Sequence, residues 1–99
     1  MNDHLVTFVT ITPRPEYFDQ SRDAVLGIIE RTRAEVGCGE FVLHEGREFD
    51  GNLYLYESFV DQSALDEHFA KDFVQEVLDS YAEWLDRPIE LLKLRRFES

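Results

Sequence analysis

Residues 52–59 read Asn52-Leu53-Tyr54-Leu55-Tyr56-Glu57-Ser58-Phe59. Successive side chains of an extended chain point to opposite sides. This run therefore sets Leu53, Leu55, Glu57 and Phe59 on one face and Tyr54, Tyr56 and Ser58 on the other. Neither face is polar in the way a solvated one should be. The first apolar run, Leu5 to Thr12, repeats the pattern, with Leu5, Val9 and Ile11 beside Thr7 and with Val6 and Phe8 beside Thr10. The last, Ile89 to Phe97, sets Ile89, Leu91 and Phe97 against Leu92 and Leu94. A sheet covered by helices on one side usually turns polar residues outward on the other. Here both faces ask for a cover, and a second copy of the sheet would supply the second one.

Working outward, Thr12-Pro13-Arg14-Pro15 stops the first strand, because proline lacks an N–H and pushes its predecessor out of the helical region. From Glu16 to Val36 the period changes. Phe18, Val25, Ile29, Thr32 and Val36, with Ile28 beside them, follow three- and four-residue steps and predict one amphipathic helix. Gly37 stands where a left-handed cap belongs, and Cys38 lies between Gly37 and Gly39 as a small filler in a turn. Glu40 to His44 and Asn52 to Phe59 read as strands joined through Gly46 to Gly51. A second helical region opens near Asp61, with Ser63 and Asp66 as a capping box, and bends around Lys71-Asp72. Its continuation carries the stripe Phe73, Val77, Tyr81 and Trp84 and ends by Arg87-Pro88. The order is β-α-β-β-α-β, an α+β chain of the ferredoxin-like split type. It predicts a four-stranded antiparallel sheet with both helices on one face.

The chain has 99 residues, which is room for one domain spanning 1–99. A hydrophobic fraction of 43% suffices for a core, and 8 Phe with 4 Tyr put more aromatic surface on this body than it can hide, again favouring a homodimer through the sheet face. The single Cys can form no internal disulfide and fits a reducing, cytoplasmic setting. No apolar run reaches the length of a bilayer span, and the N-terminus has no signal pattern. A net charge of −11 repels phosphate backbones and anionic lipid, so neither nucleic acid nor membrane is an expected partner. His4, His44 and His68 show no ligand spacing, so no metal site is expected, and no glycine-rich phosphate loop or dinucleotide fingerprint is present.

Four segments together resemble the antibiotic biosynthesis monooxygenase family of dimeric α+β barrels. They are Leu5 to Ile11, Glu35 to Phe41, Leu53 to His68 with its Ala64-Leu65-Asp66-Glu67-His68 run, and Phe73 in the following helix. The resemblance implies a subunit that dimerises through its sheet and holds a ligand cavity between the sheet and its own helices. It also implies one of several chemistries: oxygenation of anthrones and quinols without a cofactor, haem degradation, or isomerisation. The helix from Phe73 to Leu85 lacks the histidine that haem-degrading members use, which disfavours haem. Phe59 and Leu55 stand where the oxygenases carry Trp and Asn, so that constellation is incomplete.

Two residues carry the chemical expectation. Glu57 is a carboxyl group on an otherwise apolar face, where it must find a partner or take up a proton. It reads as a general base or an orienting acceptor for a histidine, or else as a satisfied buried acid tying strand to helix. His68 reads as a proton acceptor for a phenol or enol, through the resemblance, or as a structural helix histidine. Leu55, Phe59, Phe73, Tyr81 and Trp84 are the candidate substrate-binding side chains, with core packing as the other reading of the aromatics. Arg22 and Arg33 read as solvated helix surface, with attraction of an anionic substrate as the other reading. Function stays open among a cofactor-independent monooxygenase of a small aromatic, an isomerase of a small carbonyl compound, and a non-catalytic ligand-binding dimer.

Overall fold

A computed structural model describes residues 4–97. The strands are β1 (Leu5–Ile11), β2 (Cys38–Glu45), β3 (Leu53–Phe59) and β4 (Glu90–Leu94). The helices are α1 (Phe18–Leu26), α2 (Ile29–Arg33), α3 (Gln62–Ala70) and α4 (Asp72–Trp84), with a short 3-10 turn over Pro15–Tyr17. The sheet order is β2-β3-β1-β4 with every pair antiparallel, the ferredoxin-like arrangement expected from the element order. The two strands whose residues are most uniformly apolar, β1 and β3, take the centre.

Register fixes the two faces. Opposite Leu53, Leu55, Glu57 and Phe59 of β3 stand Ile11, Val9, Thr7 and Leu5 of β1. These side chains meet the helices, and Leu53, Phe59, Ile11 and Phe41 are among the most deeply buried in the protein. On the other face Tyr54, Tyr56 and Ser58 align with His44, Val42 and Glu40 of β2 and with Thr10, Phe8 and Val6 of β1. No helix among the described residues packs across the aromatic part of that face. Phe8 remains 37% exposed, Leu92 59% and Leu94 40%.

Several local expectations are corrected. The first helix is broken at Gly27-Ile28: the Ile28 N–H reaches back only to Val25, and Gly27 is a weak helix former. Val25, Ile28 and Thr32 still face the sheet. Helix α2 ends at Arg33, so Val36 lies beyond the stripe and is fully exposed. Gly37 is not left-handed; among the described residues only Gly51, in the β2–β3 hairpin, has a positive φ. Cys38 opens β2 instead of occupying a turn. The cap of α3 is Asp61, which accepts from the Ala64 N–H at 2.9 Å, and Ser63 lies within the helix. Strand β4 stops at Leu94, short of Phe97. Arg33 is not simply solvated: its guanidinium donates to the Phe41 carbonyl at 2.9 and 3.2 Å, satisfying an acceptor on edge strand β2.

Gly37 has a packing role. A Cβ built there would lie 2.4 Å from the Ala64 Cβ and 3.3 Å from Val60. The Gly37 carbonyl also accepts the Val60 N–H at 2.8 Å. The 35–38 turn is thereby pressed against the start of α3, and Ala64 Cβ, fixed to its backbone, cannot swing aside. Gly37→Ala is expected to destabilise the protein by about 1–3 kcal/mol, the usual cost of overpacking. Denaturant unfolding would check this, and an unchanged midpoint would remove the close packing from the account.

Candidate active site

Glu57 sits mid-sheet, between Thr7 on β1 and Phe41 on β2, and points at the helices. Its neighbours Leu55 and Phe59 place it there by strand alternation alone. It is 2% exposed, and its Oε1 has no hydrogen-bond partner. Burial pushes the carboxyl up to about 7; the Thr7 hydroxyl opposes the rise, and the charge of Glu35 adds to it. Thr7 is close enough to act on the carboxyl, yet its Oγ1 makes no hydrogen bond of standard geometry.

His68 lies in the last turn of α3, also 2% exposed. Three aromatic rings enclose it: Phe59 at 5.2 Å between centroids, Phe69 at 5.5 Å and Phe41 at 5.6 Å. Its Nδ1 is 3.0 Å from the Oε2 of Glu35. Glu35 arrives from the turn after α2, the segment that Gly37 presses onto α3, and its side chain is only 10% exposed. A carboxylate on Nδ1 selects the tautomer with its hydrogen there, which leaves Nε2 as an acceptor. It also stabilises the imidazolium once a proton is taken.

Glu57 and His68 border one apolar chamber of about 50 Å³ between the sheet and the helices. Leu55 and Tyr81 border it as well. The Tyr81 hydroxyl is turned away, donating to the Ser21 carbonyl at 2.7 Å and tying α4 to α1, and burial drives its acidity well below that of an ordinary phenol. Phe59 lies behind His68, against its ring, and is not part of the chamber wall. Phe73 and Trp84 are outside the wall too. Phe73 packs under the Arg31 guanidinium, 4.6 Å from its ring centroid, and Trp84 stacks on Tyr17 at 5.9 Å. Sequence reasoning overlooked Glu35. Spacing held the signal, since Ile28, Thr32 and Glu35 fall on one helical face, but the apolar Val36 was the expected continuation. Among the described residues no group of three His, Cys, Asp or Glu side chains could hold a metal ion.

The sequence profile of the antibiotic biosynthesis monooxygenases matches residues 5–85. The chain belongs to this family. Rv0793 of Mycobacterium tuberculosis, provisionally named a monooxygenase, is 30% identical over 94 residues, covering 95% of this chain and 92% of the relative. The solved structure of Rv0793 superposes with a TM-score of 0.91 at 28% identity, covering 98% of each chain. PA3566 of Pseudomonas aeruginosa superposes at 0.89 with 23% identity, over 96% of this chain and 95% of that one, and shares the fold. No helix among the described residues is long and apolar enough to cross a membrane.

The raised carboxyl has a consequence for stability. Between about 4.5, its ordinary value, and about 7 the folded protein holds a proton on Glu57 that the unfolded chain releases. The stabilising contribution of this group is therefore full below 4.5 and is lost as pH rises through 7. Glu57→Gln, which keeps the shape and cannot ionise, should gain on the wild type by up to about 3 kcal/mol between pH 5 and pH 8. Unfolding curves of both proteins across that range test it, and parallel pH profiles would show that Glu57 is not the group responsible.

Proposed function

We propose that this protein is a monooxygenase of a small quinol- or anthrone-like aromatic, working without a metal or bound organic cofactor. One observation carries the reading. A buried imidazole oriented by Glu35 and a buried carboxyl without a full set of partners face the same apolar chamber. Family membership and the provisional name of Rv0793 support an oxygenase over other chemistries.

In the proposed reaction His68 takes the hydroxyl or enol proton of the substrate, and Glu35 stabilises the imidazolium that results. The substrate anion then reduces O₂. An anthrone CH₂ becomes C=O, or a quinol becomes a hydroxyquinone, and the second oxygen atom leaves as water. The four electrons that O₂ requires come from the substrate, so no outside reductant is needed. Glu57, neutral at the lower end of the physiological range, supplies or accepts a proton as the peroxide bond breaks. The apolar walls exclude water while the anion is exposed to O₂.

The reading also includes a homodimer. The uncovered sheet face, with Phe8, Tyr54, Tyr56, Leu92 and Leu94, is the surface a second copy would bury. At about 25 cal/mol per Å², several hundred Å² of such surface is worth several kcal/mol before association costs. The lone cysteine accords with a reducing cytoplasm.

Oxygen uptake with anthrone and quinol substrates tests the chemistry. His68→Ala is expected to lower kcat by about 10²–10⁴-fold, the range of general-base catalysis. Glu35→Gln should lower it less. Equal rates in wild type and His68→Ala would remove His68 from the mechanism, and turnover without O₂ would point to isomerisation instead. For the assembly, Tyr56→Asp should shift the protein to monomer in analytical ultracentrifugation while Glu57→Gln leaves it dimeric. If both variants keep the same mass as wild type, the uncovered face is not the interface.

A further inference from the structure

One row of paired residues crosses the helix-facing side of the sheet: Phe41 on β2, Glu57 on β3, Thr7 on β1 and Lys93 on β4. Thr7 interrupts the apolar set Leu5, Val9 and Ile11 on its strand face, and it is wholly buried. A valine has nearly the same shape and takes no hydroxyl out of water, a transfer that is unfavourable unless the group is hydrogen-bonded. Residues directly opposed in an antiparallel pair hold their Cβ atoms about 4.5–5.5 Å apart, so the Thr7 hydroxyl stands beside the Glu57 carboxyl. Thr7 Oγ1 and Glu57 Oε1 are both buried and both lack a hydrogen-bond partner of standard geometry. Glu57 borders the chamber and Thr7 does not. The hydroxyl therefore approaches the carboxyl from behind the chamber wall.

From this arrangement we infer that Thr7 is a positioning residue for Glu57: its hydroxyl donates to the carboxyl oxygen turned away from the chamber and so directs the acid's proton to the oxygen that faces the substrate. The inference rests on Glu57 moving a proton in the chamber, as proposed above. A carboxyl oxygen that bears the proton is the poorer acceptor, so a donor on one oxygen drives the proton to the other. The bond strengthens as the carboxyl ionises, because hydrogen bonds to a charged acceptor are stronger than neutral ones. Thr7 thereby eases the departure of the proton and opposes the burial that retains it. In the resting site the pair falls short of standard geometry, as catalytic contacts commonly do before substrate binds. The titratable and charged groups on the surrounding elements are engaged elsewhere. His68 on α3 is held by Glu35 from the turn after α2, and the Tyr81 hydroxyl on α4 donates to Ser21. The Arg33 guanidinium of α2 is on the Phe41 carbonyl, and the Lys93 ammonium donates to Gln62 at 2.9 Å. Cys38 on β2 is kept neutral by burial and by the charges of Glu35 and Glu57. The Thr7 hydroxyl has no such engagement.

The carbon-13 NMR signal of the Glu57 carboxyl, assigned by its loss in Glu57→Gln, follows the titration of this group without any turnover. Thr7→Val removes the hydroxyl at nearly constant shape, and its midpoint should lie above the wild-type one by about one to two pH units, the size of a hydrogen bond to a charged group. Thr7→Ser keeps the donor and should return the midpoint to the wild-type value. A packing role alone predicts the opposite order, because valine keeps the methyl group and serine loses it. In oxygen uptake at pH 6, where the carboxyl is mostly protonated in all three proteins, Thr7→Val should lower kcat about tenfold with KM unchanged. That is part of the roughly 10²–10⁴-fold that positioned proton transfer supplies. An unmoved midpoint in Thr7→Val, or a Thr7→Ser protein that titrates like Thr7→Val, would overturn the inference. So would an unchanged kcat in Thr7→Val. A wild type that consumes no oxygen would defeat the proposed reaction, and the titration would then decide the Thr7 contact by itself. An unmoved midpoint in a protein that turns over would defeat the role of Thr7 and leave the reaction standing.

Discussion

The organising constraint in this protein is a carboxyl group held out of water in the middle of an apolar sheet face. Strand alternation leaves Glu57 no choice of direction, because Leu53, Leu55 and Phe59 on the same face must meet the helices. A charge there is costly unless it is paired, and among the described residues Glu57 has no ion pair. The group keeps its proton instead, with a half-titration near neutrality. Around it the core is conventional: Phe41, Phe59 and Leu53 are almost wholly buried, and the helices close over them. A site that could be all hydrocarbon has retained one acid, and that acid borders the same chamber as a buried histidine.

The second carboxylate has a different part. Glu35 lies on the turn between α2 and β2, close in space to α3 only because Gly37 lets the two backbones touch. It reaches His68 at hydrogen-bond distance, and it also raises the cost of ionising Glu57. Phe41, Phe59 and Phe69 keep water from the imidazole on several sides, which strengthens its interaction with Glu35.

The sheet divides the labour between its faces. The helix-facing side contains the chamber and every titratable group of the site. The opposite side is aromatic, with Phe8 stacked on Tyr54 at 5.8 Å and no helix of the described residues above it. The two cannot exchange roles, because a shift of register by one residue would bring Tyr54 and Tyr56 into the core and turn Glu57 outward.

Strand alternation and helical spacing were sufficient, from the residues alone, to give the element order, the antiparallel sheet, the membership of each face and the inward direction of Glu57. These are periodic properties, and a period can be read locally. The break at Gly27, the cap at Asp61 and the exposure of Val36 depend on where hydrogen bonding actually stops, which composition does not mark sharply. Glu35 was out of reach for a stronger reason. It stands 33 residues from His68, and nothing in either segment names the other. Their meeting depends on the missing Cβ of Gly37 against Ala64, a contact that exists only once α3 has packed. The same holds for Phe73 and Trp84: their helical spacing marked them as inward, but only packing decided that they face Arg31 and Tyr17 while Tyr81 reaches the chamber. Sequence by itself determined which faces are apolar and that an acid lies on one of them. Tertiary structure decided which groups surround that acid, because the distances between unconnected segments are set by packing and not by period.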